Sequence, residues 1–370
     1  MKVLIQPKPQ SLINAFLVFF IVHSIQIGVG VQGFQRIIYM DAKHDAWISV
    51  ILAGLFTSII SWIMIKTLNL YTSTDLFGIH FDIYGKWMGG FLNFTYSLYC
   101  FAAGFVVIRN YIEVVQAWIF PEVPTWFFSG TLLLLIIYGI TGGFRIIVGV
   151  CFFSILLSLW MLAFLAYPLQ FSNISYLFPL FESKITDILK GTYSMTFTIL
   201  GFELIYIFYP FVKEKDKIQK YVQLSILSTT IIYLTLMIVS LAYFSGDQLE
   251  RTIWATLSLF KIVRLPFIER FEYVAVTFWM LIIIPNLMLY LWAASRGMAR
   301  IFRKGEKRFV WIFAVGIFIS VQFFMSRLEI NMVNELFSKC AFLVVFCYPV
   351  ILYLVVLIKK KIFSRRGGES

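Results

Sequence analysis

The chain has 370 residues, 60 % of them hydrophobic and 14 % charged, with a mean hydropathy of +0.86, a balance that excludes a soluble globular domain of this size. Apolar runs near the ~20 residues that a membrane-crossing helix needs recur from end to end, continuous and not alternating, which excludes a pore-type β-barrel. The net charge of +12 is concentrated in alternate loops, so it speaks for membrane topology and against nucleic acid as a partner.

The first predicted helix covers 11–35. It opens as an ordinary membrane helix and then runs through Gln26, Gly28, Gly30, Gln32 and Gly33. Three glycines so close together weaken a helix by about 1 kcal/mol each relative to alanine, yet the stretch is too apolar for an aqueous loop. Two readings stand: a small-residue packing face, or a break whose freed backbone groups are met by protein, water or a ligand. Helix 2 is predicted over 46–68, then a polar connector over 69–86, helix 3 over 87–116, a short helix 4 over 125–138 and helix 5 over 146–167. The amphipathic stretch 170–190 lies at the surface. Helix 6 spans 191–211 and contains Gly201, Phe202 and Glu203. Helix 7 covers 221–244. A mixed-charge, partly helical connector spans 246–272. Helix 8 covers 273–298 with Pro285 and Asn286 inside, helix 9 covers 309–324 and helix 10 covers 336–358.

The expected fold class is therefore an all-α polytopic membrane protein with ten transmembrane helices. Placing both termini in the cytoplasm puts most lysines and arginines on that side, as the positive-inside rule requires. Residues 1–168 form a first five-helix repeat, 169–190 an external amphipathic connector, 191–360 a second repeat and 361–370 a basic cytoplasmic tail. Five helices per half makes the halves inverted. Glycine breaks in the opening helix of each half, helices 1 and 6, point to a binding site between discontinuous helices.

Glu203 is the sharpest candidate. It lies near the middle of helix 6, where an ionised carboxylate facing lipid is costly; it is either a ligand or proton-coupling group, or a hydrogen-bond partner for the broken backbone. Gln26, Gly28, Gly30, Gly33 and Gly201 offer backbone and amide groups to a ligand, and Phe202 and Tyr206 line the apolar part of the pocket. Arg109 and Glu113, spaced i,i+4 on helix 3, form an intramembrane ion pair or gate, or else a local interfacial pair. His23 is a polar lining residue or a packing residue. Asn286 meets a carbonyl freed by Pro285. Cys100, Cys151, Cys340 and Cys347 form no CxxC and no metal-ligand spacing. With no nucleotide-binding motif or nucleophile triad, neither cofactor nor metal is expected and the chain is not an enzyme.

The pattern QIGVGVQGFQRIIYMDAKHDAWISVILAG, residues 26–54, resembles the opening of the spore germination permeases, the B subunits of nutrient germinant receptors and a branch of the amino acid–polyamine–organocation superfamily. The layout of the remaining helices, the charged loop after helix 6 and the short basic tail resemble the family too. The resemblance implies a five-plus-five inverted repeat, and a small germinant, an amino acid first and otherwise a sugar or nucleoside, held at 26–33 and 200–203. It implies an A-type membrane subunit and a C-type lipoprotein as partners, and the spore inner membrane as location. The lysine that superfamily transporters often carry in helix 5 for coupling is absent from 146–167, which favours sensing over stand-alone amino acid transport.

Overall fold

The structure, a computed structural model, describes residues 3–266 and 268–366. Long apolar runs with few prolines become helices, because a chain in lipid must satisfy its backbone polar groups internally. In order these are α1 (Leu17–Gln26), α2 (Phe34–Ala42), α3 (Ala46–Asn69), α4 (Leu76–Trp118), α5 (Thr125–Thr141) and α6 (Phe144–Ser158). There follow α7 (Ala166–Leu169), α8 (Ile185–Ser194), α9 (Thr196–Ile199), α10 (Ile205–Phe208), α11 (Ile218–Tyr243) and α12 (Gly246–Arg251). The last are α13 (Ala255–Lys261), α14 (Phe271–Phe302), α15 (Glu306–Val321), α16 (Arg327–Phe342) and α17 (Tyr348–Arg366). The predicted tail, 361–370, begins inside α17, and 367–370 lie outside the described residues.

The chain is an integral membrane protein, but the expected ten spans are not there. Among the described residues, six helical stretches are long and apolar enough to cross a membrane: Phe34–Asn69, Leu76–Trp118, Phe144–Leu169, Lys215–Tyr243, Phe271–Phe302 and Arg327–Lys361. Predicted helix 1 stops after the ten residues of α1; that is a rise of about 15 Å against a core of about 30 Å. Predicted helices 4 and 9 are α5 and α15, with 17 and 16 residues. Predicted helix 6 is cut into the short pieces α8, α9 and α10. An apolar run counted by hydropathy alone does not reveal where the backbone leaves helical geometry.

The predicted connector 69–86 is also largely helical. Asp75 caps α4 by accepting from Gly78 N–H at 2.9 Å, and α4 turns sharply at Gly85 (φ 71°), a left-handed conformation that glycine adopts without penalty. Asp75 is fully buried and pairs with Arg296, at 3.5 Å, and with Arg300, tying the start of α4 to the end of α14.

The core lies where α14 packs along α4, α11 along α3, and α1 against α6, α11 and α14. The chain before α1 joins the chain after α10 by a parallel bridge. Ile13 N–H donates to Phe211 O at 2.9 Å and Lys213 N–H to Ile13 O at 3.0 Å. Ala15 N–H then donates to the Glu214 carboxylate at 2.8 Å.

Candidate functional site

Two interruptions meet in the middle of the molecule. At the first, α1 ends at Gln26, Ile27 and Gly28 leave helical geometry, and a 3-10 turn over Val29–Gln32 leads through Gly33 into α2. The freed carbonyls find donors on other elements. Tyr233 Oη donates to Gln26 O at 2.9 Å, Trp279 Nε1 to Gly28 O at 3.4 Å and Thr256 Oγ1 to Val31 O at 2.6 Å. Asn286 Nδ2 lies 2.9 Å from Ser24 O, 3.4 Å from Ile27 O and 2.8 Å from Ile282 O on its own helix. Asn286 therefore serves the break in α1 as well as a carbonyl of α14. Sequence reasoning missed Tyr233, Trp279 and Thr256; a tyrosine or tryptophan inside an apolar run reads as core or interface anchor, although its polar tip needs a partner when buried.

At the second interruption, Leu200 is extended and Gly201 has φ +113°. A Cβ on Gly201 would lie 2.6 Å from the Ile25 side chain and 2.9 Å from Ile25 O, so glycine is required both by conformation and by the close approach of α1. Glu203, 1 % exposed, folds back on this break. Its carboxylate accepts from Gly201 N–H at 2.6 Å, Tyr99 Oη at 2.8 Å and Tyr290 Oη at 3.2 Å. Tyr96 Oη donates to its backbone carbonyl at 3.3 Å. A carboxylate is an acceptor with about four lone-pair sites, and three are met, which is how an acid survives burial away from water.

The interruptions touch one another. Gln26 Nε2 donates to Ile199 O at 3.2 Å, and a Cβ on Gly30 would lie 2.8 Å from Thr198 Cα. Between them is a small central cavity of about 30 Å³. Gly28, Gly30, Thr198, Asn286 and Tyr290 form its polar edge, and aliphatic groups with Phe197 and Phe337 form its walls. On the side away from the N-terminus lies an open outer cleft of about 480 Å³, reaching Gly33, Arg36, Asn110 and Arg327. Val29, Gly30, Phe197 and Thr198 border both spaces. Phe197 and Phe337 meet edge to face at 6.4 Å, and Tyr99 stacks on Phe337 at 5.7 Å.

The predicted site residues thus divide. Gly28 and Gly30 line the central cavity, and Gly33 lines the outer cleft. Gln26, Gly201 and Glu203 hold the two breaks together, with Glu203 one layer behind Tyr290. The expected lining role of Phe202 and Tyr206 is corrected: both are fully buried, neither borders either space, and the Phe202 ring packs on Phe346 at 5.7 Å. The expected Arg109–Glu113 pair is corrected as well. Arg109 donates to the carbonyls of Phe324 and, at 3.1 Å, Met325, while Glu113 pairs with Arg327 at 2.5 Å. Both side chains clamp the turn between α15 and α16, and the sequence spacing on one helix does not reveal that distant partner. His23 Nδ1 bonds to Thr229 Oγ1 at 2.8 Å.

Comparison with known proteins gives this arrangement a setting. A family model described as "Spore germination protein" matches residues 12–333. Spore germination protein GerQB of Bacillus cereus is 38 % identical over 350 residues, covering 95 % of this chain and 97 % of that protein. Among solved structures, the chain is similar to Mhp1, a nucleobase-cation-symport-1 family transporter in a closed conformation with bromovinylhydantoin bound. That match has a TM-score of 0.62 at 12 % identity and covers 89 % of this chain and 75 % of that one. It is also similar to a Na+-coupled sialic acid symporter in a substrate-bound outward-open state, with a TM-score of 0.64 at 9 % identity, covering 94 % and 88 %. At such identities the structural likeness concerns the fold alone.

Proposed function

The chain belongs to the spore germination permease family, and on that premise we propose that it is a non-enzymatic germinant receptor subunit that binds a small nutrient in the central cavity. It would sit in the inner membrane of the spore with both termini in the cytoplasm, and pass the change on to an A-type membrane subunit and a C-type lipoprotein. The observation that carries this reading is the convergence of two backbone breaks on one small cavity with a polar edge. The lining includes no formally charged side chain, which favours a ligand of zero net charge, since a lone charge there would be unpaired. An amino acid near neutral pH is such a ligand. The nutrient would enter through the outer cleft and pass the Phe197–Phe337 contact. Gly28, Gly30, Thr198, Asn286 and Tyr290 would touch it, and Glu203 would position Tyr290. A ligand shifts a receptor only if its affinity differs between two states; the α1 segment at 27–33, held by side chains of α11, α13 and α14, is the element whose arrangement it would bias.

The test is binding of a panel of amino acids, sugars and nucleosides to the purified full chain. Saturable binding of one class, lost in Gly30→Leu, is expected. No binding from any class, or binding untouched by Gly30→Leu, overturns the reading. The transporter-like fold favours a second reading, a stand-alone amino acid permease. Concentrative uptake of a labelled amino acid by vesicles holding this chain alone would establish it.

A further inference from the structure

The unwound segment of α1 has two sides. Gly28, Val29 and Gly30 border the central cavity. Ile27, Val31 and Gln32 border a different one, a rear cavity of about 90 Å³. Its far wall is α6 together with the 3-10 stretch Leu159–Leu165 that continues it, and α11, α13 and α14 complete it. Seven residues is long for a 3-10 helix, whose hydrogen bonds are poorer than those of an α-helix, so the wall facing the break is itself loosely wound.

This rear cavity is apolar with a few polar exceptions. Gln32 and Ser154 both line it, 5 % and 4 % exposed. Gln32 Oε1, Ser154 Oγ and Ser24 Oγ, all at this lining, have no hydrogen-bond partner, whereas buried polar atoms in native proteins nearly always have one. No Asp, Glu, Lys or Arg lines the space. An acceptor and two hydroxyls without partners, set in a mostly apolar space, match an uncharged molecule with an apolar body and at least one N–H or O–H donor. A bound water meets the polar atoms but leaves most of the apolar volume empty, and a hydrocarbon chain fills the volume but leaves the polar atoms unmet.

We infer that the rear cavity is a second ligand site, for an uncharged amphipathic molecule of one or two rings that donates to Gln32 Oε1, and that its occupancy stiffens the α1 break from the side opposite the central cavity. Gln32 and Gly30 belong to the same 3-10 turn, so fixing one side of that turn restricts the other.

The test uses indole as probe on the purified full chain in detergent. Saturable binding is expected. It should weaken about tenfold, the size of one lost hydrogen bond, for 1-methylindole and in Gln32→Leu. Leu162→Trp, which fills the chamber, should abolish it, and Ser154→Leu gives a second way to fill the same space should Leu162→Trp fail to fold. Val107→Phe, which narrows the central cavity, should leave indole binding unchanged. Indole should also slow amide hydrogen exchange over 27–33. Absence of saturable binding, equal affinity for 1-methylindole and indole, or loss in Val107→Phe with retention in Leu162→Trp and Ser154→Leu, overturns the site. Unchanged exchange over 27–33 overturns the coupling.

Discussion

The two helix breaks solve the same problem in opposite ways. In α1 the orphaned groups are carbonyls, and their donors come from α11, α13 and α14. Before α10 the orphan is chiefly one N–H, and the acceptor is Glu203, two residues away on the same segment. The first break is thus held at several points from outside, with no residue at positive φ. The second is capped from its own segment, by one glycine in the left-handed region and one acid, with Gln26, Tyr96, Tyr99 and Tyr290 bracing it from other helices. A break held from outside can be reshaped by whatever moves its neighbours; a locally closed one is a rigid corner.

That contrast can be broken by substitution. The largest effect is expected at the rigid corner. Gly201→Ala combines positive-φ strain with the clash against Ile25, together about 2–4 kcal/mol, read as lost thermal stability of the purified protein. If that variant melts like the wild type, the corner is not rigid. Glu203→Leu strands three donors and should cost about 3 kcal/mol or more, while Glu203→Gln, which keeps one oxygen, should cost about 1–2 kcal/mol. Equal losses for Leu and Gln would mean the acid does not act as the cap. At the first break one donor among several is dispensable: Tyr233→Phe should cost about 1 kcal/mol. A loss as large as that of Glu203→Leu would erase the distinction. Gly28→Ala is the mildest, since the added Cβ only reaches ordinary contact, 3.4 Å from Asn286 Oδ1. Stability should change by less than about 0.5 kcal/mol, while germinant binding weakens if this edge touches the ligand.

A final test concerns what flanks the first break. Lys43, just after α2, pairs with Glu250 of α12 at 2.5 Å. The lysine holds the Glu250 carboxyl below the usual carboxylate range. Because the folded value is depressed, the contact contributes fully above the ordinary value of about 4.3 and is lost as pH falls through the depressed one. Protection from hydrogen exchange over 246–251, relative to the intrinsic rate at each pH, should therefore fall only in acid, below about pH 4. A loss of protection beginning near neutrality would assign it to something else.

The positions of the two interruptions are legible in the sequence. Three glycines in an apolar run, and one acid inside another, depart so far from membrane-helix composition that they mark the places where the backbone leaves the helix. What holds those places is not legible there. Tyr233, Trp279 and Thr256 look like ordinary core, and their role depends on which carbonyl comes within reach of a polar tip. Phe202 and Tyr206 sit beside the marked residues but turn toward the core, because a 3-10 turn after a left-handed glycine does not keep the α-helical face. The span count fails for a related reason: hydropathy measures how apolar a run is, and not where α1, α5, α15 or the pieces around Gly201 stop.

The bridge of Ile13 to Val212 has a mechanical consequence. It yokes the lower halves of both interrupted segments into one lever, so neither can swing away from the other without tearing two backbone hydrogen bonds and the Ala15–Glu214 contact. Whatever travel a bound molecule induces must then appear at the upper halves, in α2 and in the α8 that packs against it. Those are the parts that reach the open side of the molecule, and a neighbouring subunit docked against α2 or α8 would feel the stroke directly.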